Sequence, residues 1–78
     1  MKILQWKLIK LRKERKVTQK DLANFIGISE SSYINKETGK FQFKQNEMFM
    51  ISNYFNKAVD EIFLPTKFTV RKGITEIK

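Results

Sequence analysis

The 78-residue sequence predicts an all-α fold of five short helices. Apolar residues recur at helical intervals along most of the chain. Residues that cap or end helices (Thr18, Gly27, Ser29, Gly39, Asn56) punctuate those runs, and the only proline, Pro65, comes after the last of them. The length supports one domain, close to the size at which a single core becomes marginal.

Residues 3–16 read as the first helix: Leu4, Leu8 and Leu11 recur at i, i+4 and i+7, Ile3 flanks them, and Lys and Arg fill the outer face. Thr18 starts the second helix, its hydroxyl placed to accept the Asp21 N–H, with Asp21 where a capping-box Glu or Gln would stand. Leu22, Ala23 and Ile26 then share one face, and Lys20, Asp21 and Asn24 the other. Gly27 ends this helix because the position after a helix favours positive φ. Ile28 follows as a buried plug, and Ser29 caps a third helix that Gly39 closes. The intervening turn of three to four residues sets the two helices roughly perpendicular.

A fourth helix is placed at about 45–55 on Met48, Ile51 and Phe55, with Asn56 as its left-handed terminator. A fifth at about 58–63 uses Val59, Ile62 and Phe63 and is stopped by Pro65. Lys44 and Ala58 precede these helices without a good capping side chain, at a cost of about 1 kcal/mol each. From residue 66 the pattern changes to alternation, with Phe68 and Val70 between Thr69 and Arg71 and a turn at Lys72–Gly73, which predicts a strand or small hairpin. A lone hairpin is marginal in water, so it lies on the body, pairs with a second subunit or frays. The organisation expected is a helical domain over 1–65 and an extension over 66–78.

The formal charge is +8, and residues 1–20 hold eight of the sixteen basic residues against Glu14 alone. Such a surface favours polyanions, nucleic acid before anionic membrane. With no Cys and no His, thiolate chemistry, imidazole bases, disulfides and the usual zinc sites are unsupported. No enzyme activity, metal, cofactor or small-molecule ligand is expected. Lysines interrupt the apolar N-terminus, so neither a signal peptide nor a membrane span is read, and a cytoplasmic setting is expected.

Several pieces occur together in order: LRKERKVTQKDLA, the turn GIS, the run SYINKETGK, and a trailing set of Phe43, Glu47, Ile51, Phe55, Glu61, Ile62 and Phe63. In these, the stretch from Leu8 to Leu64 resembles the phage repressor and Cro helix-turn-helix family, also called the XRE family. The resemblance implies a five-helix domain that binds operator DNA in the major groove, usually as a two-fold dimer. It makes 29–38 the recognition helix, with base-reading positions at Glu30, Ser31, Ser32 and Asn35. Asn35 lies one turn from Ser31, on the same face.

An asparagine can bond adenine bidentately, a glutamate can accept from cytosine N4, and serines are permissive. Glu30 departs from the Gln or Arg often found there; it either acts in readout or is simply an acid at a helix N-terminus. Gln19 matches the family's phosphate-binding glutamine. Thr18 and Ser29 at helix starts, and Lys40 and Lys44 at the exit of the recognition helix, are further phosphate candidates.

Arg12 and Glu37 match a pair that ties the first helix to the end of the recognition helix. Tyr33 is expected in the core with its hydroxyl at the edge, and Lys36 with its stem over Trp6 or a neighbour. Ile34 either touches thymine methyls or packs at the helix edge. Adjacent Phe49 and Met50, at commonly polar positions, suggest a subunit interface or a face covered by Phe68 and Val70.

Two functions follow. One is a repressor of phage or mobile-element origin that binds a palindromic operator as a homodimer and blocks polymerase. The other is a protein-interaction module on the same fold, such as an antirepressor, inhibitor or antitoxin.

Overall fold

The computed structural model describes residues 4–64 and forms five helices: α1 (Trp6–Glu14), α2 (Gln19–Ile26), α3 (Glu30–Glu37), α4 (Gln45–Phe55) and α5 (Val59–Ile62). There is no strand among the described residues. Ile3, the stop at Pro65, the strand or hairpin expected over 66–78, and Phe68 and Val70 lie outside them.

The helix boundaries follow from local stereochemistry. The hydroxyl of Thr18 accepts the Asp21 N–H at 3.0 Å and the Asp21 carboxylate accepts the Thr18 N–H at 3.1 Å, a closed capping box that starts α2. That N–H holds the Asp21 carboxyl below its ordinary range. Gly27, at φ +80°, turns the chain out of α2, and Ile28 N–H returns to the Ala23 carbonyl at 3.0 Å. Three residues then separate α2 from α3.

α1 ends in the same way without a glycine. Lys16 takes φ +57°, its N–H donates to Lys13 O and the Val17 N–H to Arg12 O at 2.9 Å. Asn56 terminates α4 at φ +56°. Although Lys44 and Ala58 have no accepting side chain, their backbone N–H groups donate to Glu47 and Glu61, each at 2.9 Å. The acid three residues on thus supplies the reverse half of a capping box, while the acceptor that Lys44 and Ala58 lack for the first-turn N–H groups stays missing, as expected.

The core joins Leu8 and Leu11 of α1, Leu22, Ala23 and Ile26 of α2, Tyr33 of α3, Phe43, Ile51 and Phe55 around α4, Ile62 of α5 and Phe63 just after it. Phe43 lies edge-on to both Tyr33 (ring centroids 5.7 Å apart) and Phe63 (5.2 Å). This joins α3 to the residue that follows α5 through aromatic contact. α2 packs mainly on α3; α4 backs α2 and α5, and α1 spans α3 and α5.

The entry to the fold differs from the sequence expectation. α1 starts at Trp6, not residue 3, and ends at Glu14; Leu4 is 51% exposed and outside the core. Gln5 is buried in its place. Its N–H donates to the Glu37 carbonyl at 2.9 Å and its Oε1 accepts the Leu64 N–H at 2.7 Å, which holds residue 5 at ψ 69°, outside the helix. Ile28 and Met48 are half-buried at the core margin, so Ile28 is not the buried plug expected.

Candidate nucleic-acid interface

α3 divides its residues between two duties. Tyr33 and Glu37 are buried, Glu30 and Ser31 are exposed, and Ser32, Ile34 and Asn35 are half-exposed. Ser29 caps the helix by accepting the Ser32 N–H at 3.1 Å, and its hydroxyl donates to Ser32 Oγ at 3.0 Å. The Asn35 carbonyl accepts the N–H groups of Lys40 (2.8 Å) and Phe41 (3.1 Å), fixing the exit of the helix. The Asn35 side-chain amide takes no partner among the described residues. Two donors and two lone pairs are therefore left at an outward position one turn beyond Ser31.

The buried side of α3 is held by one carboxylate. Glu37 is 1% exposed, and four donors converge on it. Its Oε2 accepts Arg12 Nε at 2.9 Å and the Tyr33 hydroxyl at 2.7 Å; its Oε1 accepts Arg12 Nη2 at 3.2 Å and Gln19 Nε2 at 2.8 Å. Arg12 Nη1 also donates to the Val17 carbonyl at 3.1 Å. α1, α2 and α3 thus meet at one ion pair with its lone pairs filled, the condition under which burying such a pair is tolerable.

The Tyr33 hydroxyl sits inside this cluster, not at the edge of the core as expected. Burial, and donation to the adjacent Glu37 carboxylate, push its ionisation well above the ordinary tyrosine range.

A second ion pair joins α3 to α4. Lys36 Nζ lies 2.7 Å from Glu47 Oε1 and 2.8 Å from Oε2, and Glu47 is only 4% exposed. Lys36 therefore places its charge on Glu47, because a buried carboxylate at the start of α4 requires a cation; the expectation of its stem over Trp6 or a neighbour did not include this pairing. Nothing in the local pattern pairs residues 36 and 47, which meet only in the folded chain.

The phosphate candidates stand in different conditions. Thr18 and Ser29 are exposed and engaged as caps, and the Thr18 N–H is taken by Asp21, so the open backbone donors at that helix start belong to Gln19 and Lys20. Gln19 directs its amide nitrogen to Glu37; the carboxylate can only accept, which fixes the orientation of the amide and leaves its second hydrogen over. Lys40 and Lys44 are exposed, with Lys40 Nζ 5.9 Å from the centre of the Phe41 ring. Lys13, Lys16 and Lys20, near the start of α2, are exposed as well.

Sequence reasoning missed several exposed aromatic residues. Phe41, at the exit of α3, is 56% exposed. Phe25 and Tyr54 meet edge-on at 4.9 Å on the surface between α2 and α4. Phe25 follows Asn24 on the polar arc of α2, the one signal that marked it. Of the residues expected at an interface, Phe49 is 52% exposed, whereas Met50 is half-buried against the core and does not extend the patch. Trp6 borders a shallow groove of about 280 Å³ with Lys7, Lys10 and Lys57. No cluster of metal-ligating side chains, and no helix long and apolar enough to cross a membrane, occurs among the described residues.

A helix-turn-helix family model matches residues 8–62 of the chain. Among solved structures, one similar chain is that of a transcriptional regulator from Listeria innocua, with a TM-score of 0.71 at 12% identity, over 99% of this chain and 77% of that one. No curated protein matches the sequence.

Proposed function

Because the chain belongs to the helix-turn-helix family matched over residues 8–62, we propose that it is a sequence-specific, double-stranded DNA-binding transcriptional regulator. It acts as a repressor, with α3 in the major groove. The observation that carries this reading is the division of α3. Its buried side is fixed by ion pairs to α1 and α4, while Glu30, Ser31, Ser32 and the amide of Asn35, which has no partner among the described residues, point away from the body. A rigid helix with free hydrogen-bonding groups along its first turns is what base readout needs.

Phosphates are contacted by Gln19 and the open N–H groups at the start of α2, by Thr18 and Ser29, and by Lys40 and Lys44. The transcriptional regulator of similar fold is consistent with this reading. The protein works in the cytoplasm as a homodimer on a palindromic operator of phage or mobile-element type, joined through a surface that includes Phe49. Its two α3 helices then read half-sites about 34 Å apart.

The test is selection of duplexes from a random pool by the wild-type chain, Asn35→Ala, Gln19→Ala and Lys40→Ala at two salt concentrations. A palindrome should be enriched, Asn35→Ala should relax one position per half-site, and Gln19→Ala should weaken all sequences evenly. Lys40→Ala should lower the salt slope by about one, whereas the neutral Gln19 leaves it unchanged. Salt-labile binding with no enriched sequence would refute the proposal. It would favour a protein-binding role, for which the exposed Phe25–Tyr54 pair is the surface to probe.

A further inference from the structure

We propose that Tyr33 is a positioning residue for phosphate binding, acting through Glu37 on Gln19. The inference rests on the DNA-binding reading above and concerns how the core sets one of its contacts. A carboxylate offers about four lone-pair sites, and at Glu37 donors from three helices fill them. The guanidinium of Arg12 spans both oxygens. The two other donors sit on opposite ones, Tyr33 on Oε2 and Gln19 on Oε1.

Tyr33 lies one turn before Glu37 on the same helix, so its hydroxyl holds the orientation of the carboxylate from within α3. With Oε2 held, Oε1 has a fixed position, and the Gln19 amide is fixed against it at 2.8 Å. The second amide hydrogen of Gln19 is then presented in one direction. Removing only the hydroxyl leaves Arg12 as the sole donor on Oε2, so the carboxylate can tilt against the guanidinium that still spans it, and the amide loses that direction.

The ring of Tyr33 fills the core and stacks edge-on with Phe43, so a phenylalanine keeps the packing and deletes only the donor. The experiment compares wild type, Tyr33→Phe, Gln19→Ala and the double variant for binding to one fixed short duplex at low salt. Each protein's melting temperature is recorded. Each single variant should weaken binding about fivefold, and the double variant should bind no more weakly than Gln19→Ala alone. The drop in melting temperature caused by Tyr33→Phe should appear in both backgrounds.

A second readout needs no DNA. In Tyr33→Phe the side-chain amide protons of Gln19 should shift in the NMR spectrum as their bond to Glu37 loosens. Equal weakening by Tyr33→Phe with and without Gln19 overturns the inference, because the hydroxyl would then act only on stability. An unchanged Gln19 amide resonance, or a Gln19→Ala variant that binds as well as wild type, also overturns it. A wild-type chain that fails to bind the duplex overturns the DNA-binding reading itself.

Discussion

Glu37→Gln tests the central ion pair most directly, because it preserves the shape of the side chain and changes only its chemistry. The carboxylate accepts from four donors in the folded protein. A glutamine has one acceptor oxygen with two lone pairs, so at most two of the four are retained, and its NH₂ group faces donors. Arg12, whose side chain is 10% exposed, is left as a buried cation without its anion. Breaking a buried pair from one side costs about 3–5 kcal/mol, against roughly 4–12 kcal/mol for the whole stability of a chain this size.

With a urea m-value of about 1 kcal/mol/M, the unfolding midpoint followed by far-UV circular dichroism should fall by roughly 3–5 M. Replacing both partners, Arg12→Met with Glu37→Leu, should recover only part of the loss: no unpaired charge is then buried, but the Tyr33 hydroxyl and the Gln19 amide lose their acceptor. A midpoint shift below about 0.5 M for Glu37→Gln, the size expected of an exposed pair, would refute the view that Glu37 organises the three helices.

Glu47→Gln removes the anion from Lys36 yet keeps a carbonyl oxygen for the Lys44 N–H; it should cost about 1–3 kcal/mol in urea melts. Because the pair is largely shielded from solvent, that loss should persist at high salt. Gly27→Ala meets no atom within 4 Å but places a Cβ at φ +80°. It should therefore destabilise by about 1–2 kcal/mol from backbone strain alone, read as a lower melting temperature with unchanged helix content. Tyr33 ionises in the unfolded chain near the ordinary tyrosine value and only well above it when folded. Its contribution is full below that ordinary value and declines as pH rises beyond it, so wild type should lose stability in alkali more steeply than Tyr33→Phe.

Much of the helix plan was legible because several boundaries carry their own stereochemical mark. Thr18 with Asp21, Gly27, Ser29 and Asn56 each act within four residues of themselves, so a local reading captures them. Periodicity failed at Leu4 because a repeat does not say where a helix begins. The start of α1 is set by the bond from Gln5 to Glu37, a residue distant in sequence.

The same limit governs the polar interior. Tyr33 and Glu37 stand one turn apart and their bond was in principle readable. The bonds of Gln19 to Glu37 and of Lys36 to Glu47, however, exist only because the fold brings together residues far apart in sequence. The outward set on α3 came from resemblance and spacing. The exposed Phe25, Phe41 and Tyr54 were not anticipated, since an aromatic residue in sequence is presumed to belong to a core.

The division of α3 also bears on how such a protein diverges over generations. Ser31, Ser32 and Asn35 contribute neither to the ion pairs nor to the aromatic core, and Glu30 is exposed at the helix start. Substitutions at such surface positions usually stay within about ±0.5 kcal/mol. A lineage can therefore exchange these four residues as a cassette and sample new binding partners without approaching the threshold at which the fold fails. Tyr33, Lys36 and Glu37, interleaved with them on the same two turns, have no such freedom. In the DNA-reading role proposed above, the helix can drift in what it recognises while staying fixed in how it is held.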